Sequence, residues 1–190
     1  MKDTTCYQDM KRIFTLIVSL IVAAIAFGQH FTPADEGSEI GFKIRNFGVN
    51  VSGSFKGLQG KIIFFPDSLS ASHFDVTIDV KTINTGIDQR DNHLRSEDYF
   101  EAEKYPDIHF VSTQVTTSTS KEYLFVFGKL TIKDVTKEVS FPFKATPKEN
   151  DFLFEGEFTL NRRDYNVGGG SISMGDNVRL NLKVLAKSEK

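Results

Sequence analysis

Apolar residues recur at every second position in stretch after stretch of this 190-residue chain. Phe74, Val76, Ile78 and Val80 alternate with Asp75, Thr77, Asp79 and Lys81. Phe152, Phe154, Gly156, Phe158 and Leu160 alternate with residues that include Glu155, Glu157 and Thr159. Val178, Leu180, Leu182 and Val184 alternate with Arg179, Asn181 and Lys183. Side chains pointing alternately to two faces are the mark of a β-strand, and a helix of period 3.6 would scatter these apolar groups around its whole surface. Each stretch therefore has one apolar and one wet face, and the chain must build sheets that cover a single side.

Candidate strands fall at 40–51, 53–65, 73–83, 107–116, 122–133, 137–146, 151–161 and 176–186. Most are joined by short links carrying turn residues, such as Pro66-Asp67-Ser68, Lys133-Asp134 and Glu149-Asn150-Asp151. Short links make sequential strands antiparallel neighbours. Eight of them suffice to close a barrel and remove both sheet edges, so the expected fold is an all-β, eight-stranded antiparallel barrel. In the first stretch Ile40, Phe42 and Ile44 are even-numbered, whereas Phe47, Val49 and Val51 are odd. That phase slip predicts a bulge or sharp bend near Arg45-Asn46. Lys61–Phe65 and Tyr123–Phe127 are apolar on both faces, which predicts a loop or helix over one face of each. Pro142, between Phe141 and Phe143, predicts a bulge or a strand end.

The wet faces carry both signs of charge and no aromatic girdle, unlike a membrane barrel, so the apolar set is expected to point inward. Sixteen of the 18 phenylalanines lie beyond residue 28, and there is no tryptophan. Phenylalanine supplies apolar area without a polar atom to satisfy.

Residues 1–28 read as a secretory signal peptide. Lys11 and Arg12 precede the uncharged run Ile13–Phe27, which is too short for a membrane span of about 20 residues, and Ala26-Phe27-Gly28 offers a cleavage site. Met10 would start a compact signal by itself, so 1–9 read as a mis-assigned extension. Residues 29–190 then form one domain without cysteine, since the single cysteine is Cys6. The expected location is periplasmic or secreted, with stability from packing rather than disulfides. That domain holds 20 basic against 23 acidic residues and no basic block, which argues against nucleic acid as a partner.

One connection stands apart. Residues 84–106 are long for a loop, which points to internal structure. Asp88 and Ser96 are candidate caps for short helical turns over about 88–104, placed across one barrel mouth, and Pro106 launches the next strand. Asp91-Asn92-His93 invites a metal or acid–base reading, but none of the four histidines forms a ligand pair at helical or hairpin spacing, and no metal site or catalytic residue is assigned. Two alternatives to a ligand container stay open: an enzyme using His93 and Asp91 on a bound apolar substrate, and a structural or partner-binding barrel with a solid core.

Thr85-Gly86, Arg90-Asp91-Asn92-His93-Leu94-Arg95-Ser96, Tyr99-Phe100, Lys104-Tyr105-Pro106, Ile108, Phe110 and Ser112-Thr113 resemble the signature of the YceI-like family of exported lipid-binding proteins. Weaker similarity lies in Gly53-Ser54-Phe55, Gly60, Gly128-Lys129-Leu130-Thr131-Ile132 and Arg162-Arg163-Asp164-Tyr165. Asn166 and Lys133-Asp134 stand where the family often has glycine. The resemblance implies a lipocalin-like barrel whose apolar tunnel holds a polyisoprenoid, such as an isoprenoid quinone tail, and it brings no catalytic residue and no cofactor beyond that ligand. On this reading Phe42, Ile44, Phe74, Val76 and Ile78 line the tunnel, together with Phe110, Phe141, Phe143, Phe158 and Leu180. Leu94, Tyr99 and Phe100 form the inner surface of the flap, and Arg162 or Asp164 meets a head group. The implied partner is an isoprenoid or other long-chain lipid; a transient contact with a membrane or lipid donor and a homodimer are both compatible with the sequence.

Overall fold

The computed structural model describes residues 30–120 and 122–189. The expected signal peptide lies outside these residues. Eight strands follow one another: β1 (His30–Asn46), β2 (Val49–Ile63), β3 (His73–Asn84), β4 (Asp107–Thr117), β5 (Leu124–Ile132), β6 (Val135–Lys148), β7 (Asp151–Asn161) and β8 (Met174–Ser188). Helix α1 (Asp88–Arg95) lies in the β3–β4 connection, and 3-10 turns η1 (Leu69–Ala71) and η2 (Arg162–Tyr165) lie in two others. Every strand pairs antiparallel with its sequence neighbour, and β1 also pairs with β8, so the sheet closes on itself. Ile40, for example, faces Phe55 on one side and Leu182 on the other.

Closing a sheet requires strands to coil, and the irregularities that allow it lie where alternation did not reveal them. β1 begins ten residues before its expected start, and its register shifts between Phe31 and Ile40. β2 shifts twice between Ser54 and Gln59. There Asp35 holds the bulged backbone, accepting hydrogen bonds from Gly57 N (2.9 Å) and Leu58 N (2.8 Å). Gly60 follows with φ +124°, and a β-carbon there would strike the Asp75 carbonyl and lie 2.8 Å from Val76 Cα. We therefore expect Gly60→Ala to cost about 2–4 kcal/mol, read as a thermal midpoint lower by roughly 4–16 °C.

The expected irregularity near Arg45-Asn46 is present: the β1–β8 register shifts between Ile44 and Asn46, and a hairpin turn follows at once. Phe47 (φ +48°) and Gly48 (φ +80°) reverse the chain between β1 and β2. Pro142 lies inside β6, not at its end, but the β6–β7 ladder covers only Phe143–Lys148. A residue without an N–H marks where that ladder stops. Ile63 and Phe65 are half-buried beside the 66–72 loop, which turns back through Phe65 N to Ser72 Oγ at 3.0 Å. Among the described residues no such cover protects β5. Tyr123, Phe125 and Phe127 point outward, the first and last are exposed, and the Phe125 and Phe127 rings meet at 5.2 Å.

The barrel interior has two unlike halves. At the end holding the start of β1 and the β2–β3, β4–β5 and β6–β7 connections, six phenylalanines form a dense plug. Phe64 meets Phe152 and Phe154 edge-on at 5.1 Å, Phe74 meets Phe154 at 5.3 Å and Phe143 at 5.7 Å, and Phe31 meets Phe152 at 5.4 Å. Edge-to-face pairing fills space densely and matches ring quadrupoles. The other half is hollow.

Candidate functional site

The hollow half encloses a cavity of about 450 Å³. Its wall is the inner face of the strands, and its cover is the β3–β4 connection. Of the tunnel residues expected from sequence, Phe42, Ile44, Val76, Ile78, Phe110, Phe141, Phe158 and Leu180 border it, with Leu94, Tyr99, Phe100 and Arg162. Many of these inward residues, among them Phe42, Ile78 and Leu180, are only half-buried, because water-sized space remains beside them inside the barrel. Phe74 and Phe143 do not border this cavity; both belong to the plug and face a deeper void of about 80 Å³. Phe110, Phe141 and Val76 separate the two spaces. Phe141 is stacked on Phe158 at 4.4 Å and 7°. Phe110 lies against Gly128, where a β-carbon would sit 2.6 Å from the Val111 carbonyl oxygen.

Alternation alone did not single out several wall residues. Phe55, Leu58 and Ile83 are shifted in phase by the β2 and β3 irregularities, while Val178, Leu182 and Val184 share the alternation that marked Leu180. The polar groups on the border, apart from Thr77, sit at the mouth: Asn46, Thr85, Arg90, His93, Arg162, Ser171 and Ser173. Asn46 Oδ1 is the one buried side-chain polar atom without a hydrogen-bond partner among the described residues.

The flap is fixed by its own charged residues. Arg95 donates to Lys81 O (2.8 Å), Ile83 O (2.9 Å) and Asn92 Oδ1 (2.9 Å), which ties the end of α1 to β3. Buried Asp91 accepts from Thr85 N at 2.9 Å and from the Thr85 hydroxyl, and Arg90 donates to Thr85 Oγ1 (2.7 Å) and O (2.8 Å). Asp88 is the first residue of α1 rather than its cap; Ile87 holds the cap position without a side-chain hydrogen bond. Ser96 ends the helix, with its hydroxyl donating to His93 O, and no second helix follows before Pro106. Phe100 folds back edge-on to Phe55 at 5.9 Å, closing the cover on the barrel.

His93 and Asp91 have different partners. Asp91 is occupied by Thr85, while His93 lies edge-on to Tyr99 at 4.9 Å and 3.7 Å from the Asp98 carboxylate. Among the described residues no three His, Cys, Asp or Glu side chains gather closely enough to hold a metal ion.

The Arg162-Arg163-Asp164-Tyr165 stretch is a structural clasp. Arg162 is 4% exposed, and its guanidinium donates to Gly175 O (3.1 Å), Val167 O (2.8 Å), Gly169 O (3.0 Å) and Asp176 Oδ1 (3.0 Å). Two of these hydrogen bonds go to the β7–β8 connection and two to the start of β8, so little of the donor fork is left for a head group. Asp164 borders neither cavity. Asn166 (φ +55°) and Lys133 (φ +56°) both adopt left-handed backbone, so these turns keep the shape that glycine would favour. Beside the clasp, Tyr165 is buried and its hydroxyl is pushed up to about 12, first by desolvation and then by the charge of Asp164. The folded protein thus holds this proton after the unfolded chain has lost it. The Tyr165 contribution should be constant below pH 10 and fall by roughly 2–3 kcal/mol between pH 10 and 12. Denaturant titrations should show that fall greatly reduced in Tyr165→Phe.

The chain resembles several known proteins over half of its length or more. UPF0312 protein plu2095 of Photorhabdus laumondii is 40% identical over 101 residues, and that match spans 53% of this chain and 52% of the relative, about half its length. Protein YceI of Salmonella arizonae is 29% identical over 163 residues, covering 81% of this chain and 84% of the relative. The crystal structure of Burkholderia cenocepacia BcnA superposes with a TM-score of 0.77 at 24% identity, over 82% of this chain and 99% of that one. A polyisoprenoid binding domain from Saccharophagus degradans superposes with a TM-score of 0.68 at 15% identity, over 85% of this chain and 99% of that one. At such identities the two structures speak for the fold. The YceI-like domain is matched over residues 31–186, from the second residue of β1 almost to the end of β8, and the chain belongs to that family.

Proposed function

We propose that this protein binds the apolar chain of a polyisoprenoid or similar long-chain amphiphile in the hollow half of its barrel, and that it serves as an extracytoplasmic carrier or buffer for that lipid. One observation carries the reading: inward-facing Phe42, Ile78, Leu180 and their neighbours surround about 450 Å³ of unfilled space, with polar groups confined almost entirely to the mouth. A volume of this size falls within the range of about 300–1,000 Å³ typical of small-molecule sites. Burial of one five-carbon isoprene unit yields about 4 kcal/mol before the costs of association, so a few units suffice without a hydrogen bond. Shape and apolarity then set selectivity. The likeness to a polyisoprenoid binding domain supports the ligand class. The signal-like residues 1–28 support export, and an isoprenoid quinone is one fitting cargo. The solid-core alternative describes only the plugged half.

Native mass spectrometry of purified protein, followed by organic extraction and incubation with a polyprenol and a long-tailed quinone, tests the reading. A bound lipid, or uptake of either probe at one molecule per chain, is the expected result. A protein that emerges empty and takes up neither probe defeats it.

A further inference from the structure

We propose that one lip of the cavity mouth is a membrane-docking edge, formed by the β1–β2 turn and the β7–β8 connection, through which the protein meets the bilayer surface. The proposal rests on the lipid-binding reading of the cavity and adds where and how the lipid enters.

In an up-and-down barrel the connections that leave odd-numbered strands all gather at one end. Here that end carries the Phe47-Gly48 turn, the α1 flap, the Lys133-Asp134 turn and the 162–173 connection. It is the hollow end, because the opposite end is filled by the phenylalanine plug. A lipid therefore enters between these connections, and the surface around them meets its source.

That surface is unusual in two respects. Six large apolar side chains are exposed among the described residues, and four of them, Phe47, Val49, Ile87 and Ile172, lie at this end. Phe47 is 81% exposed, Val49 63%, and Ile172 projects fully into solvent. Phe47 also occupies a two-residue hairpin turn in which both central residues have positive φ, a place where Asn, Asp or Gly is comfortable and an aromatic residue is strained. Its side chain does not recover that strain through packing against the fold. The two segments are also joined, since Phe47 N donates to Ser173 O at 2.8 Å, so Phe47 and Ile172 stand on one continuous ridge.

Charge divides the mouth. Residues 46–55 and 165–175 contain no Asp, Glu, Lys or Arg, in a chain that is 25% charged. At the margins of this neutral lip stand the exposed guanidinium groups of Arg45, which donates to Gly48 O at 3.2 Å, and Arg163, 3.6 Å from Asp176. Asp176 is shared with Arg162, and Asp164 is the one other carboxylate nearby in sequence. The facing lip is different. Residues 85–106 hold six acidic against three basic residues, a net of −3. A neutral ridge tipped with Phe and Ile and edged by arginines fits the headgroup boundary of an anionic bilayer, while an acidic flap is repelled from it. The barrel thus docks tilted, with the β1–β2 and β7–β8 lip down and α1 raised.

The test uses Val49→Ser/Ile172→Ser, because neither residue borders the cavity. Flotation with phosphatidylethanolamine/phosphatidylglycerol vesicles should carry wild-type protein upward, and the double variant should bind at least about tenfold less. Binding of a fluorescent geranylgeranyl probe in vesicle-free buffer should change less than about twofold. Probe transfer between donor and acceptor vesicles should slow along with flotation. Phosphatidylcholine vesicles, lacking the anionic lipid, should bind more weakly. Wild-type protein that binds the probe but stays unfloated with both vesicle types overturns the docking edge and leaves the carrier reading intact; a double variant that floats as well as wild type also overturns it. Wild-type protein that floats through these residues yet binds no probe supports the edge and removes the carrier reading.

Discussion

Leu180→Trp is expected to reduce lipid uptake by about a hundredfold or more while leaving the barrel as stable as the parent. Leu180 sits on β8 between Phe42 of β1 and Phe158 of β7, all three on the cavity wall. An indole placed there occupies space that an isoprene unit would otherwise fill. Losing even one such unit removes about 4 kcal/mol of apolar burial, which is roughly a thousandfold in affinity before any readjustment. Stability should hold because the new ring gains contacts where the wall now faces empty space. Leu180→Phe, which brings no buried N–H, is the milder companion. The discriminating comparison is Val115→Trp. Val115 is 2% exposed in the plug, where extra atoms force displacement at about 1–3 kcal/mol or more. Thermal unfolding and lipid titration of the three variants check the point. If Leu180→Trp loses as much stability as Val115→Trp, the half of the barrel around Leu180 is filled rather than hollow and the binding role fails with it.

Arg162→Met should lower stability by about 3–5 kcal/mol and loosen the β7–β8 connection. The guanidinium is nearly inaccessible, yet each of its three nitrogens donates, one of them twice, and its ion pair with Asp176 is 3.0 Å long. Removing the buried arginine leaves the carbonyls of Val167, Gly169 and Gly175 without a donor and the partly exposed Asp176 without its closer cation. For a domain of this size the expected fall in thermal midpoint is roughly 6–20 °C. Limited proteolysis should begin at Gly168-Gly169-Gly170, the stretch that the arginine holds against Tyr99. Arg162→Lys keeps the charge but cannot span the same acceptors, so it should recover less than half the loss. A variant that unfolds like the parent and resists protease equally would show that the connection holds itself without the clasp.

The candidate site was legible where a side chain's direction is a local property. Phe42, Val76, Ile78, Phe158 and Leu180 point inward because they alternate with charged or polar neighbours along regular strand, and the structure puts all of them on the cavity wall. Phe55, Leu58 and Ile83 were hidden for a local reason of another kind: the bulges around Gly57 and Gly60 reset the phase, and nothing in the alternation announces a bulge. Arg162 borders the cavity while its guanidinium bonds the protein's own backbone, and Asp164 borders neither cavity, because composition at a rim does not say where a side chain's partners lie. Whether an arginine meets a ligand or its own backbone depends on where residues 167–176 return, and that is decided by the far end of the loop.

The sequence by itself determined the strand count, their antiparallel order, the inward apolar face and the family, since each of these follows from period, turn spacing or motif within a short window. Only the tertiary structure decided that Phe31, Phe64, Phe74, Phe143, Phe152 and Phe154 converge at one end and leave the other unfilled. Alternation says which face a side chain takes but not at what height it stands in the barrel. That height comes from the stagger between strands, which is set when β1 closes on β8 across more than 120 residues of chain.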